Sequence, residues 1–206
     1  MNAHTQHLTL TGPAGALACA VDDPVGAPRG VAVLCHPHPL HGGTMDNKVV
    51  QTLARAFVQC GWQAVRFNFR GVGGSAGAWD EGRGEVDDVL AVVAARHDPA
   101  LPLALGGFSF GAAMAARAAA RLAGPDAGPA PQRLVLVGPA VANFPAPPVS
   151  QDTVVIHGEA DEVVPLAAVL DWARPQTLPV TVVPGVGHFF HGQLAVLKQL
   201  VVAGCR

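Results

Sequence analysis

Leu103-Ala-Leu-Gly-Gly-Phe-Ser-Phe-Gly111 is the stretch on which the fold turns. Pro102 to Gly106 is a short apolar run of the kind that forms a buried strand. Phe110 to Leu122 carries apolar residues at helical spacing. Between them stands Gly107-Phe-Ser109-Phe-Gly111, a G-x-S-x-G motif flanked by the strand and the helix that such a turn requires. The bend is so sharp that the serine is held in a strained conformation, and a side chain at either glycine would collide with neighbouring backbone. The helix opening at Phe110 points its N-terminal N–H groups at the serine, where they can stabilise a developing oxyanion. Ser109 is the candidate nucleophile.

A serine hydroxyl is a weak nucleophile and needs a base, which a carboxylate must orient. In strand-turn-helix sites of this kind the order along the chain is serine, acid, histidine. Downstream of Ser109 stand His157, His188 and His191. His188 follows Gly185-Val-Gly187, where a loop can carry a base to the serine and then to the leaving group. His191 is expected inside the last helix. His157 and Asp161 close the strand and loop Val154-Val-Ile-His-Gly-Glu-Ala-Asp161, at the strand end where parallel sheets place their ligand groups. Asp161 is the candidate acid. Glu162 is expected to serve the next helix terminus, while spacing alone leaves Glu159 in contention.

The second oxyanion donor is expected from Cys35-His-Pro-His-Pro-Leu-His-Gly-Gly-Thr-Met-Asp-Asn47. Pro37 and Pro39 have no N–H, so His38, Leu40 and His41 form the shortlist, and the backbone of His38 is preferred beside that of Phe110. His36, His38 and His41 could alternatively ligate zinc, which would make a metal-dependent hydrolase. Prolines on both sides of His38 favour extended backbone, which splays the rings. His36 is then expected to brace neighbouring loops.

Outward from these motifs, strands and helices alternate. An opening hairpin (His7 to Leu10, Leu17 to Val21) precedes strands at Gly30 to Cys35 and Trp62 to Phe67, with a helix from Asn47 to Cys60 between them. A helix at Glu85 to Arg96 leads to the strand before Ser109. After the helix at Phe110 come strands at Arg133 to Val137 and Thr153 to Ile156, then a helix from about Pro165 to Trp172. A strand at Val180 to Val183 and a helix at Phe190 to Val202 close the pattern. This implies a mostly parallel sheet covered on both faces, in a single domain spanning 1–206. The connector Gly138 to Gln151 carries no helix pattern. The glycine run at Gly71 to Gly77 lacks a phosphate-binding pattern and is expected to face solvent, with Arg70 pairing with a carboxylate.

A net charge of -2 gives no electrostatic case for nucleic acid or an anionic membrane. No apolar stretch approaches the length of a membrane span, and the N-terminus lacks a signal-peptide pattern. Four scattered cysteines form neither a disulfide framework nor a metal spacing, so a cytoplasmic protein is expected.

Taken together, His36-Pro-His-Pro-Leu-His-Gly-Gly-Thr-Met-Asp-Asn-Lys48, Asn68-Phe-Arg-Gly-Val-Gly-Gly-Ser75, Gly107 to Gly111, His157-Gly-Glu-Ala-Asp161 and Gly187-His188-Phe189 resemble the small bacterial α/β-hydrolases near the dienelactone-hydrolase-like and carboxylesterase groups. The resemblance implies an α/β-hydrolase fold and a serine hydrolase with Ser109 as nucleophile, Asp161 as acid and His188 as base. It implies no cofactor and a small-molecule ester as partner. True dienelactone hydrolases use cysteine where this chain has Ser109. Only about fifteen residues separate Val137 from Thr153, too few for a helical cap, so the site is expected to be open and lidless. Phe108, Phe110, Phe144, Phe189 and Phe190, with Leu40, are the expected apolar lining, suited to short-chain esters or thioesters. A serine peptidase and a non-catalytic binding protein are the remaining alternatives.

Overall fold

In the computed structural model, which describes residues 5–124 and 128–205, one eight-stranded sheet organises the chain. Its strands are β1 (Gln6–Gly12), β2 (Gly15–Asp22), β3 (Val31–Cys35), β4 (Gln63–Phe67), β5 (Leu103–Phe108), β6 (Arg133–Val137), β7 (Val154–Gly158) and β8 (Val180–Val183). Their order is β1-β2-β4-β3-β5-β6-β7-β8. The β1–β2 hairpin and the β2–β4 pair are antiparallel, and the other neighbours run parallel. The helices are α1 (Lys48–Gln59), α2 (Gly84–Arg96), α3 (Phe110–Leu122), α4 (Leu166–Ala173) and α5 (Leu194–Gly204). This is the α/β-hydrolase fold.

The central strands are apolar throughout because both faces are covered. Alternate side chains divide between the two layers. Val31, Val33 and Cys35 of β3 and Leu134 and Leu136 of β6 face the core under α2, α3 and α4. Ala32 and Leu34, with Val135 and Val137, face the core under α1 and α5. In β5 the same parity sends Leu103 and Leu105 one way and Ala104 and Phe108 the other.

Local chemistry fixes most boundaries. Asn47 caps α1 by accepting from the Val49 N–H at 2.9 Å, and Gly61, with φ of 82°, ends it. Arg70 pairs with the buried Asp88 at 2.7 Å, anchoring the glycine-rich loop to α2. That loop is only partly solvated: Ser75 is buried, donating to the Asn68 carbonyl and accepting from Ala18 N–H. The connector after β6 has no helix.

The last helix starts later than the periodicity predicts. Phe190 takes φ of 53° to bury its ring, and Gly192 has φ of 74°, so 190–193 form a turn and α5 begins at Leu194. His191 therefore sits on that exposed turn, not within the helix. Glu162 also falls short of its expected place, since α4 has no acidic residue in its first turn. Among the described residues, no helix is long and apolar enough to cross a membrane.

Candidate active site

The sheet delivers three side chains to one edge, from the C-terminal ends of β5, β7 and β8. Ser109 follows β5 with φ of 57° and ψ of −118°, a backbone state few residues adopt without strain. Neighbours hold it there. Its N–H donates to the Val137 carbonyl at 2.9 Å, and its own carbonyl accepts from Ala112, Ala113 and Ala140. The two motif glycines have steric reasons. A Cβ on Gly107 would lie 2.3 Å from the Gly111 carbonyl oxygen, and one on Gly111 would lie 2.4 Å from the carbonyl oxygens of Cys35 and His36.

His188 reaches the serine from the loop after β8, with Nε2 3.0 Å from Ser109 Oγ. Its Nδ1 lies 2.6 Å from Asp161 Oδ2. The carboxylate can only accept, so Nδ1 carries the proton and Nε2 offers its lone pair to the serine hydroxyl. Asp161 is fixed in turn, its Oδ1 accepting from Val163 N–H at 2.9 Å and Val164 N–H at 2.7 Å. Burial works against its ionised form, but the hydrogen bonds from His188 and Val164 outweigh burial and hold the carboxyl below the usual carboxylate range. All three side chains are nearly buried. Glue for the loops comes from elsewhere: Glu159 accepts from Gly185 N–H at 2.9 Å, which commits it to the turn after β8.

The loop after β3 packs against the start of α3, with the His38 ring 5.3 Å from that of Phe110, and its residues 39–41 form a 3-10 turn. The Leu40 N–H donates to His38 Nδ1 at 3.2 Å and the His41 N–H to the His38 carbonyl at 3.1 Å. Two of the three shortlisted donors are thus spent. The His38 and Phe110 N–H groups have no acceptor among the described residues.

His36 is fully buried beneath this loop. Its Nδ1–H donates to the Pro37 carbonyl at 2.6 Å, and its Nε2 accepts from Phe69 N–H at 3.0 Å. Both ring nitrogens are occupied, so the ring braces two loops, and ligating a metal would break one of these bonds. Among the described residues, no three His, Cys, Asp or Glu side chains are grouped to hold a metal.

Burial pushes the His36 imidazole down to about 4. The unfolded chain therefore binds a proton that the folded chain refuses between about pH 6.5 and 4. Stability is complete above that window and falls as pH drops through it, by about 3 kcal/mol at its lower end. Urea unfolding at pH 7.5 and 4.5 measures this loss. In His36→Gln, which does not titrate, the slope attributable to this residue disappears.

The expected apolar lining is only partly surface. Phe108, Phe110 and Phe190 are fully buried. The parity of β5 turns Phe108 into the core, where its ring packs against His188 at 4.7 Å and supports the base instead of lining a pocket. Phe189 is 44% exposed and Leu40 66% exposed, and both remain available. Phe144, from the connector, joins His38, Phe110 and Trp79 in a cluster in which every pair of rings is in contact, at 4.4–6.1 Å between centroids across this group and His41. Trp79 was not foreseen. It follows the glycine-rich loop, which is pinned to the β1–β2 hairpin by the Ala76 N–H to Ala16 carbonyl and Ala18 N–H to Ser75 Oγ bonds, and an aromatic residue just after that loop was the available signal.

The family described as "Serine aminopeptidase, S33" (Hydrolase_4) matches residues 26–151. The chain belongs to this α/β-hydrolase family. A lidless α/β serine hydrolase from Xanthomonas campestris is 41% identical, with a TM-score of 0.86 over 99% of this chain and 94% of that one. An α/β serine hydrolase homologue from Coxiella burnetii is 37% identical, with a TM-score of 0.81 over 96% of each chain. An uncharacterized protein of Rickettsia prowazekii is 46% identical over 85 residues, which are 40% of this chain and 36% of that protein. The match thus covers about a third of the length of that curated relative, whereas the two solved structures are matched almost end to end. It is a serine hydrolase of the α/β fold.

Proposed function

We propose that this hydrolase cleaves small carboxylic esters or thioesters through an acyl-enzyme on Ser109. The observation that carries the reading is the unbroken hydrogen-bonded chain from Ser109 through His188 to Asp161, set beside two uncommitted backbone N–H groups. As Ser109 Oγ bonds to the carbonyl carbon, its proton passes to His188 Nε2 and the carbonyl π pair moves onto oxygen. The His38 and Phe110 N–H groups receive that oxyanion. Collapse of the tetrahedral species breaks the bond to the leaving alkoxide or thiolate, which takes the proton from His188. Water then repeats the sequence and frees the acid. Asp161 stays ionised and keeps the imidazole in the required tautomer.

Substrate size follows from the ring cluster. His38, Trp79, Phe110 and Phe144 pack against one another and occupy the volume next to the oxyanion loop, which favours short acyl groups. Trp79→Ala is expected to raise kcat/KM for an octanoate ester about 10-fold relative to the acetate. A chain-length series of p-nitrophenyl esters reads the change, and an unaltered series would remove Trp79 from the site.

A fluorophosphonate probe followed by mass spectrometry tests the nucleophile. The adduct is expected on Ser109 and is expected to vanish in His188→Ala. Turnover of p-nitrophenyl acetate should survive a chelator. The family's description names an aminopeptidase, and an aminoacyl p-nitroanilide assayed alongside the ester separates amide from ester hydrolysis.

A further inference from the structure

Two histidines flank Asp161, and the reaction above uses one of them. The other, His157, ends β7 and is fully buried. Its Nε2 lies 2.9 Å from the Val164 carbonyl oxygen and 3.5 Å from Asp161 Oδ2. Both neighbours are acceptors, so Nε2 carries the proton and Nδ1 is a bare lone pair. That Nδ1 is buried without a hydrogen-bond partner among the described residues. A second proton there would find no acceptor and no water-exposed face. Burial accordingly lowers the affinity of this ring for a proton and outweighs the opposing pull of the Val164 carbonyl and the Asp161 carboxylate, with the nearby His188 a smaller lowering influence.

The turn beyond β7 closes on itself through this ring. Asp161 Oδ1 accepts from the N–H groups of Val163 and Val164, and the carbonyl of Val164 accepts from His157. The residue that orients one carboxylate oxygen is thus tied by its own carbonyl to the sheet. Asp161 Oδ2 faces the two imidazoles on its other side.

We infer that His157 is a positioning residue for Asp161, a fixed neutral N–H donor that clamps the 161–164 turn so that the carboxylate stays on His188 during proton transfer. This rests on the acyl-transfer reading. Because His157 does not take a second proton, the charge arising when Ser109 gives up its proton has one site, His188. Without the clamp the Val164 carbonyl is left buried and unpaired, the turn relaxes, and the carboxylate can swing off Nδ1. A misplacement of about 1 Å at such a contact costs on the order of 100-fold in rate.

Side-chain length supplies the test. In H157Q the amide nitrogen can occupy the place of Nε2 and donate to Val164. In H157N it reaches only the place of Nδ1. On p-nitrophenyl acetate, H157N is expected to lose about 10- to 100-fold in kcat with KM within about twofold, and H157Q to keep kcat within about threefold of the wild type. In a D161N background, H157N should cost nothing more, because its effect passes through the carboxylate. The far-downfield proton resonance of the His188–Asp161 hydrogen bond should persist in H157Q and be lost or shifted in H157N. Wild-type kcat in H157N, losses that multiply in D161N, or an unmoved resonance would each overturn the inference. Should H157N fail to fold, H157Q decides, and a tenfold fall in its kcat counts against the clamp. A wild-type enzyme that ignores fluorophosphonate defeats the acyl-transfer reading itself. A reactive wild type with an indifferent H157N defeats only the role of His157.

Discussion

Alanine at His188 is expected to reduce kcat/KM for p-nitrophenyl acetate by about 10⁴- to 10⁶-fold, and Ser109→Ala by a similar factor. The size follows from the geometry. His188 Nε2, at 3.0 Å from Ser109 Oγ, is the group placed to remove the hydroxyl proton. Its ring cannot be replaced by the neighbouring His157, whose Nε2 is committed to Val164. Without a base the hydroxyl attacks as a neutral alcohol, and the protonated leaving-group pathway disappears with it. The two losses should not add: Ser109→Ala combined with His188→Ala should retain the same residual turnover as either alone, because the pair acts as one unit. What remains would come from binding and the oxyanion donors. Both variants should fold, since Ser109 and His188 lie outside the two apolar clusters that hold the sheet to its helices, and circular dichroism checks this. If His188→Ala keeps a tenth of wild-type activity, another base acts and the proposed mechanism fails.

What could be read from the sequence was what is local. The elbow at Ser109 announces itself because a strand, two glycines and a helix start are contiguous, and α3 begins and ends where the apolar spacing places it. The pairing of His188 with Asp161 was also accessible, because the order of segments along the chain limits which loops meet at one sheet edge. His36 was harder. Its residue type and spacing suit both a metal ligand and a brace, and only the contacts of Nδ1 with Pro37 and Nε2 with Phe69 separate the two. Phe108 reads as pocket lining because its neighbour Ser109 faces the cleft. Strand parity ends at the elbow, and one residue upstream the side chain points into the core. Trp79 and Phe144 meet across about 65 residues, through a loop and a connector with no periodicity, so nothing local places their rings in contact. The late start of α5 has the same origin, since burial of the Phe190 ring overrides a helical pattern that its neighbours support.

Gly111→Ala is expected to destabilise the fold by roughly 2–3 kcal/mol and to lower kcat by about 100-fold or more. Helix propensity predicts the opposite sign for stability, because alanine is favoured over glycine by about 1 kcal/mol inside a helix. The steric term decides. The new Cβ would sit 2.4 Å from the carbonyl oxygens of both Cys35 and His36, and these are backbone atoms at the end of β3 that cannot swing aside. Either α3 or the loop after β3 must retreat. The first carries the Phe110 N–H and the second the His38 N–H, so any retreat widens the gap between the two donors proposed to hold the oxyanion. The ground state barely uses that gap, whereas the tetrahedral species depends on it. The loss should therefore appear in kcat more than in KM. Urea unfolding gives the stability change, and steady-state kinetics on p-nitrophenyl acetate give the split. An unchanged unfolding midpoint with unchanged kcat would mean that α3 and the β3 loop are not pressed together at this point. A stability loss without a kcat loss would mean that the two N–H groups do not act as a pair. The serine would then rely on some other donor for its oxyanion.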